Sequence, residues 1–521
     1  MQTIKVSRAV LVFLGLMLTI NAAWASHTVP SRNDSQVTNT ESKVAESSGI
    51  TPQGLPVLEV FFSGKEMPKE YTLGNMRLSY TDGTKVELQA KFKMRGATAT
   101  QYSMKPSFNM KLRDEQGNEL DSTLCGLRSM SSWILDAMAI DRIGMRNRVA
   151  FDVWNEFSRL PYDTQFDSRN GTIGQFIEVY INGSYKGIYC MTDRINRKLL
   201  NVKKPQIGSE ADDEGTAAPT TESQEVTIRG VIYKHGTNSI DNQNSVAFSQ
   251  DSTAYVIAYH DAWELIEPED YAGAAAWAPL DIIYQNKNNY EWVKEHFFLE
   301  QLAEYQTFIT ALSIEDNWGN KNSIISARNV TTDGNKHRFV YTPWDLDTSL
   351  GGSYNGTNYD GNYSNWTMAS IINSSTMPVP FAICNKQSEY TKLLKETWAK
   401  GREDALSVRS IREKLYRYRD LFLRTGAWER ETSYWATQKY QPPYVTDLTR
   451  EIDLIIAWYE NRVIQIDNYF GLEHIDAITD VCPEDQPDKV QPLYNIMGQP
   501  VSEPTTRGIY LRNGKKIILK P

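Results

Sequence analysis

The chain predicts an α+β protein of two lobes with a cleft between them, sheet-rich in its first half and helix-rich in its second. Three observations carry that expectation. Short β-type runs bounded by turn signals fill residues 55 to 195. Beyond residue 290, apolar residues recur at alternating three- and four-residue steps, the signature of one helix face. The composition, 40% hydrophobic and 23% charged over 521 residues, excludes both wholesale disorder and a membrane bundle.

In chain order, residues 1–25 read as a signal peptide. Lys5 and Arg8 precede an apolar run from Ala9 to Ile20, and Ala23-Trp24-Ala25 is a small-x-small cleavage site. That run is too short to span a bilayer as a helix. Its loss removes Lys5 and Arg8 and takes the net charge from -9 to -11. So acidic a chain lacks the basic footprint of a nucleic-acid binder. Residues 26–54, rich in Ser, Thr and Asn, read as a flexible linker.

The sheet-rich lobe is expected over 55–195. Val57 to Phe62, Met76 to Tyr80, Val86 to Met94 and Ser107 to Leu112 are strand runs, with a turn at Asp82-Gly83. Met145 to Phe157 reads as a helix on the spacing of Val149, Val153 and Trp154. Phe176 to Tyr180 and Gly187 to Met191 frame the hairpin signal Asn182-Gly183. The helical lobe is expected over 196–475, interrupted by an acidic surface insertion at 205–227. Glu291 to Ile314 reads as one helix carrying Phe298, Leu302, Tyr305, Ile309 and Leu312 on one face. A second stripe runs from Leu448 to Ile466, and Tyr390 to Phe422 reads as two helices. A small C-terminal β-hairpin unit follows at 480–521, turning at Asn513-Gly514.

Cys125, Cys190, Cys384 and Cys482 are far apart, which argues against a zinc ribbon and for buried thiols with one bridge at most. The six histidines show no His-Glu-x-x-His, so a zinc hydrolase is not expected.

Acidic chemistry concentrates between Ile314 and Gly352. The helix ending at Ile314 delivers Asp316-Asn317, with Asn320 and Asn322 close behind. A hairpin follows, Ser323 to Val330 and His337 to Thr342, turning at Asp333-Gly334 and ending in Trp344-Asp345-Leu346-Asp347. Helix, Asp/Asn loop, hairpin and second acidic site come in the order in which protein kinases build a phosphoryl-transfer site. On an extended segment Asp345 and Asp347 would share one face and hold an ion together. Oxygen ligands suit a hard cation such as magnesium. The bland alternative is an ordinary loop with two surface carboxylates.

Six ordered pieces resemble the CotH family of atypical secreted kinases, typified by a spore-coat protein. They are Met94 to Thr98 with Lys105-Pro106-Ser107-Phe108-Asn109-Met110-Lys111-Leu112, then Ser132-Trp133-Ile134-Leu135-Asp136-Ala137, then Met145-Arg146-Asn147. Ile177 to Tyr189 leads into Thr192-Asp193-Arg194-Ile195, and Asp316-Asn317 and Pro343-Trp344-Asp345-Leu346-Asp347 complete the set. The resemblance implies a two-lobed atypical protein-kinase-like fold that uses ATP and Mg2+ or Mn2+ to phosphorylate Ser/Thr hydroxyls of an exported or surface protein.

By position it implies Asp316 as the catalytic residue and Asp345 as the principal metal ligand, with Asp347 and Asn322 as further ligands. Lys105 and Lys111 both stand open as phosphate contacts, Lys111 lying mid-strand. Arg95, Gly96 and Thr98 belong to the implied nucleotide site, while Arg95 and Arg146 stand equally open as partners in buried ion pairs. The family usually carries Arg-Gly-Asn-Ser-Ser where this chain has Arg95-Gly96-Ala97-Thr98-Ala99. That departure keeps an alternative in view, a non-catalytic surface protein, either a pseudokinase or an assembly or glycan-binding module suited by 13 Trp and 28 Tyr. A glycosidase built on paired carboxylates is a third reading. The Asn/Gly/Tyr-rich loop from Ser353 to Tyr363 stands where a kinase docks its substrate. The C-terminal tail resembles sorting tails of the type IX secretion pathway, which implies the cell surface.

Overall fold

A computed structural model of the chain describes residues 49–96, 105–162, 167–207, 224–236, 262–317, 322–330, 338–353, 379–438 and 442–474, together with the backbone of 4–6, 493–495, 500–501, 508–512 and 515–519. Most of the expected signal peptide and linker, Thr98, Asn320, the Asp333-Gly334 and Asn513-Gly514 turns, the loop beyond Ser353 and Cys482 lie outside the described residues. The chain is mixed α+β. Met1–Glu473 forms one compact unit and His474–Pro521 another.

Seven strands of the first unit close on themselves. β1 (Val57–Phe62), β2 (Thr72–Ser79), β3 (Lys85–Arg95), β4 (Ser107–Arg113) and β5 (Ser132–Asp136) pair antiparallel in sequence. β5 then pairs with β7 (Ser184–Thr192), β7 with β6 (Gly174–Ile181), and a parallel ladder from β6 to β1 closes the circuit. Alternation along each strand explains the filling. Leu58, Val60, Phe62, Met76, Leu78, Phe92, Phe108, Met110, Trp133, Leu135, Ile177, Val179 and Met191 form one buried cluster. Asn182-Gly183 makes the β6–β7 turn with both residues left-handed, as the sequence leads one to expect. β5 is not among the strand runs that the sequence pattern marks out.

One outer flank of this barrel carries helices. α1 (Arg146–Phe157) buries Trp154 against Phe308, ring centres 4.9 Å apart. Phe308 belongs to α4 (Leu299–Ala311). The Glu291–Ile314 stretch is thus two helices, α3 (Tyr290–His296) and α4, not one. Phe297 is extended, bridges to Phe339 and packs its ring on that residue at 5.3 Å, and this tertiary contact outweighs the helical periodicity. Pattern reading also missed α2 (Ala274–Asn286), which tolerates Pro279 within its second turn.

A second antiparallel sheet runs in the order β9 (Trp263–Glu267), β8 (Val231–His235), β10 (Ser323–Ala327) and β11 (Phe339–Pro343). The pairing of β10 with β11 is the expected hairpin. Only the edges of the 205–227 insertion are described, as a short ladder of Gln206–Ile207 with Gln224–Thr227.

α6 (Ser388–Gly401) and α7 (Val408–Arg424) are the two helices expected over 390–422, preceded by the short α5 (Phe381–Cys384). α8 (Ala427–Ala436) follows, then α9 (Leu448–Phe470), which is capped by Asp447 and closed by left-handed Gly471. α7 lays Tyr418 and Phe422 edge-on to Phe176 of the barrel at 4.9 and 4.8 Å. Arg430 of α8 forks onto Glu178 at 2.7 and 2.8 Å. Among the described residues no helix is long and apolar enough to cross a membrane.

In the second unit, β12 (Leu493–Asn495), β13 (Pro500–Val501), β14 (Gly508–Arg512) and β15 (Lys515–Leu519) form an antiparallel sheet in the order β13-β12-β14-β15.

Candidate active site

A cavity of about 310 Å3 opens where the ends of the barrel strands meet the second sheet. The barrel wall supplies Arg95 and Gly96 from the end of β3, Ser107 from the start of β4 and Asp136 from the end of β5. α1 adds Asn147. The opposite wall supplies Lys234 of β8, Asp316, Asn322, and Trp344, Asp345 and Asp347 from the segment after β11. Asp316, Asn322, Asp345, Asp347, Arg95 and Gly96, six of the nine residues singled out in the sequence, therefore line one space.

Hydrogen bonds explain how these loops hold their places. Trp344 N donates to Asn322 O at 3.0 Å, extending the β10–β11 ladder past its last pair. Asn317, fully buried, donates its amide to Asn322 O at 3.0 Å and to Trp344 O at 3.1 Å. One side chain thereby staples the loop before β10 to the loop after β11, and Asp316 sits beside it with its backbone N 3.4 Å from Thr348 Oγ1.

Asn322, Asp345 and Met138, which also lines the cavity, are left-handed at φ 58°, 57° and 48°. Left-handed non-glycine residues persist only where their surroundings hold them, and such strain gathers at functional sites. The condition of an extended segment at Asp345 and Asp347 is not met. Asp345 turns left-handed, Leu346 plugs into the interior, and both carboxylates reach the cavity by that turn.

The electrostatics are two-sided. Burial holds the Asp347 carboxyl well above the usual carboxylate range, and Asp345, Asp136, Asp316 and Asp141 push it further. Facing this excess of negative charge, Arg95 and Lys234 lie over the Trp344 ring at 5.4 and 5.0 Å from its centre. Burial lowers both cations' pKa, while Asp136 and Asp345 oppose the shift on Arg95 and Glu264 and Asp345 oppose it on Lys234. The donor set suits a divalent cation, since Asp345 and Asp347 offer carboxylate oxygens and Asn322 an amide oxygen to the same cavity. Among the described residues no three acidic, His or Cys side chains converge closely enough for a protein-only cage. Magnesium needs none, because it is usually held by one or two carboxylates together with substrate phosphates.

Three sequence expectations fall elsewhere. Lys105 is buried 2.6 Å from Glu431 of α8, donates to Ile188 O at 2.6 Å and to Tyr444 Oη at 3.0 Å, and does not line the cavity. Lys111 does not line it either. Alternation along β4 turns Met110 and Leu112 into the barrel and Lys111 outward, over the Tyr71 ring at 4.7 Å. Thr98 lies outside the described residues. Of the two arginines left open, Arg146 is buried in an ion pair with Asp141, whereas Arg95 faces the cavity.

The sequence reading missed Lys234, Asp136 and Asn147 as site residues. Asp136 and Asn147 stand inside two of the six pieces quoted above, which was the available signal. Lys234 is in Val231-Ile232-Tyr233-Lys234-His235, a strand run just past the acidic insertion that the reading passed over. The thiols of Cys125, Cys190 and Cys384 are free, and burial pushes each up to about 12, so none is a reactive group at neutral pH.

A cavity that gathers the carboxylates of Asp136, Asp316, Asp345 and Asp347 around the two cations Arg95 and Lys234 has the chemistry of a site for a metal-bound polyphosphate. A family model described as CotH kinase protein matches residues 92–464, a span that contains every residue lining the cavity. The chain belongs to the CotH kinase family. No curated protein matches it.

Proposed function

We propose that the protein is an exported phosphotransferase that moves the γ-phosphoryl group of ATP to Ser/Thr hydroxyls of exported or surface proteins. The observation that carries this reading is the convergence of Asp316, Asp345, Asp347 and Asn322 with Arg95 and Lys234 in one cavity.

Arg95 and Lys234 take the anionic phosphates in place of Lys105 and Lys111. A guanidinium offers paired donors to phosphate oxygens and an ammonium offers a point charge. Trp344 holds both cations at a fixed spacing. Asp345 and Asp347, with Asn322, would hold the divalent cation, Mg2+ or Mn2+, which when bound would supply charge neutralisation to the phosphates. Asp316 accepts the proton of the acceptor hydroxyl. The new bond joins the acceptor oxygen to the γ-phosphorus, the bond to the β,γ-bridging oxygen breaks, and ADP leaves. In this reading the barrel plays the part of a nucleotide-binding lobe, and export rests on the signal-like residues 1–25 and the sorting-like tail.

The test is transfer of labelled γ-phosphate to the protein itself and to casein as a generic acceptor, with magnesium or manganese. Asp316→Ala and Asp345→Ala should each lower transfer by about a hundredfold or more while remaining folded. Undiminished transfer in a folded Asp345→Ala protein overturns the metal assignment. No transfer by the wild type supports the non-catalytic alternative.

A further inference from the structure

The two walls of the cavity come from distant parts of the chain, so something must set Asp136 and Asp345 relative to one another. Asn147, in the first turn of α1, is placed to do this. Its Nδ2 donates to Asp136 Oδ2 at 2.7 Å, and its Oδ1 accepts from Leu346 N at 3.1 Å. Asp136 is held further by Met138 N at 3.1 Å and by Ser107 Oγ at 3.4 Å. Leu346 N belongs to the residue after left-handed Asp345, whose conformation needs support from outside its own loop. A primary amide offers a donor to a carboxylate and, on a separate atom, an acceptor to a backbone N–H. Leucine has neither, and aspartate keeps the acceptor but meets Asp136 with like charge.

We propose that Asn147 is a positioning residue that registers the barrel wall against the Asp345–Asp347 turn. Its consequence for phosphoryl transfer rests on the reading above, but the bridge itself does not.

Hydrogen exchange on the full chain reads the bridge directly. In Asn147→Leu the Leu346 amide should exchange at least about fivefold faster, the order expected when one hydrogen bond is lost. Amides of α9 should keep their protection. Turnover should fall mainly in kcat, with the KM for ATP within about twofold. Asn147→Asp should lose protection too. The reciprocal pair Asp136→Asn/Asn147→Asp should regain it, since the amide introduced at 136 then donates to the carboxylate introduced at 147, which still accepts from Leu346 N. Unchanged Leu346 protection in Asn147→Leu overturns the proposal. So does a reciprocal pair no better protected than Asn147→Asp alone. A uniform loss of protection across α1 and α9 marks an ordinary structural residue and also overturns it. A wild type that transfers no phosphate defeats the kinase reading while leaving the exchange result to decide on the bridge.

Discussion

Lys105 and Lys234 show what a single residue's surroundings decide. Both are lysines close to a strand, and only tertiary structure separates a strut from a ligand group. Lys105 and Glu431 are each 1% exposed and satisfy one another, with Glu431 also accepting from Ile188 N at 2.6 Å. Removing one partner strands the other, so Lys105→Met should cost about 3–5 kcal/mol in chemical denaturation and leave ATP binding intact below its melting temperature. Loss of ATP binding without loss of stability would return Lys105 to the nucleotide site. Gly187 belongs to the same contact, because a Cβ there would stand 1.9 Å from Glu431 Oε2. The acidic site was legible in residues 314–352 because Asp and Asn at element ends announce ligand chemistry locally. The cations were not, since Lys234 reaches the site only through the pairing of β8 with β10. His235, next along β8, is a separate matter. Burial lowers its imidazole to about 4, and neither ring nitrogen has a partner among the described residues. A base whose folded pKa lies below its unfolded value of about 6.5 contributes stability that is fully present above that value and is lost progressively as pH falls from about 6.5 to about 4. The wild type should therefore lose about 2–3 kcal/mol between pH 7.5 and 4.5 that His235→Phe retains, as measured by urea unfolding.

At the scale of elements, strands are legible where one face fills the barrel and the other is more open, because period-two burial leaves a clear alternation in β3 and β4, whereas β1 is buried on both faces and declares itself as a continuous apolar run. The helix over 291–314 was misread because periodicity does not register the pull of Phe339 on Phe297. The β10–β11 hairpin was legible, but not the staple that gives it chemical use. Asn317 ties its two flanking loops, and in Asn317→Ala the carbonyls of Asn322 and Trp344 lose that donor. The expected cost is about 1–3 kcal/mol of stability, with a fall in phosphoryl transfer beyond what residual folding explains. Denaturant titration and turnover on the same preparation check both parts. Wild-type turnover at wild-type stability would mean the loops are held by other means.

Over the whole molecule, the family match and the cavity agree on which part of the chain carries the chemistry. All lining residues lie in the unit that ends at Glu473. A chain truncated after Glu473 should therefore keep the metal-dependent ATP response of the full protein, and loss of that response would tie the C-terminal sheet to the site. The central claim is that nucleotide and metal meet in the cavity between the barrel and the second sheet. Thermal melting of the protein with ATP, with and without magnesium or manganese, tests it most directly, because a ligand of the native state raises the melting temperature by mass action. The melting temperature should rise only with ATP and metal together, and the rise should disappear in Asp345→Ala, weaken in Lys234→Met and persist in Lys105→Met. No rise at millimolar ATP, or a rise unchanged in Asp345→Ala and Lys234→Met, would contradict it.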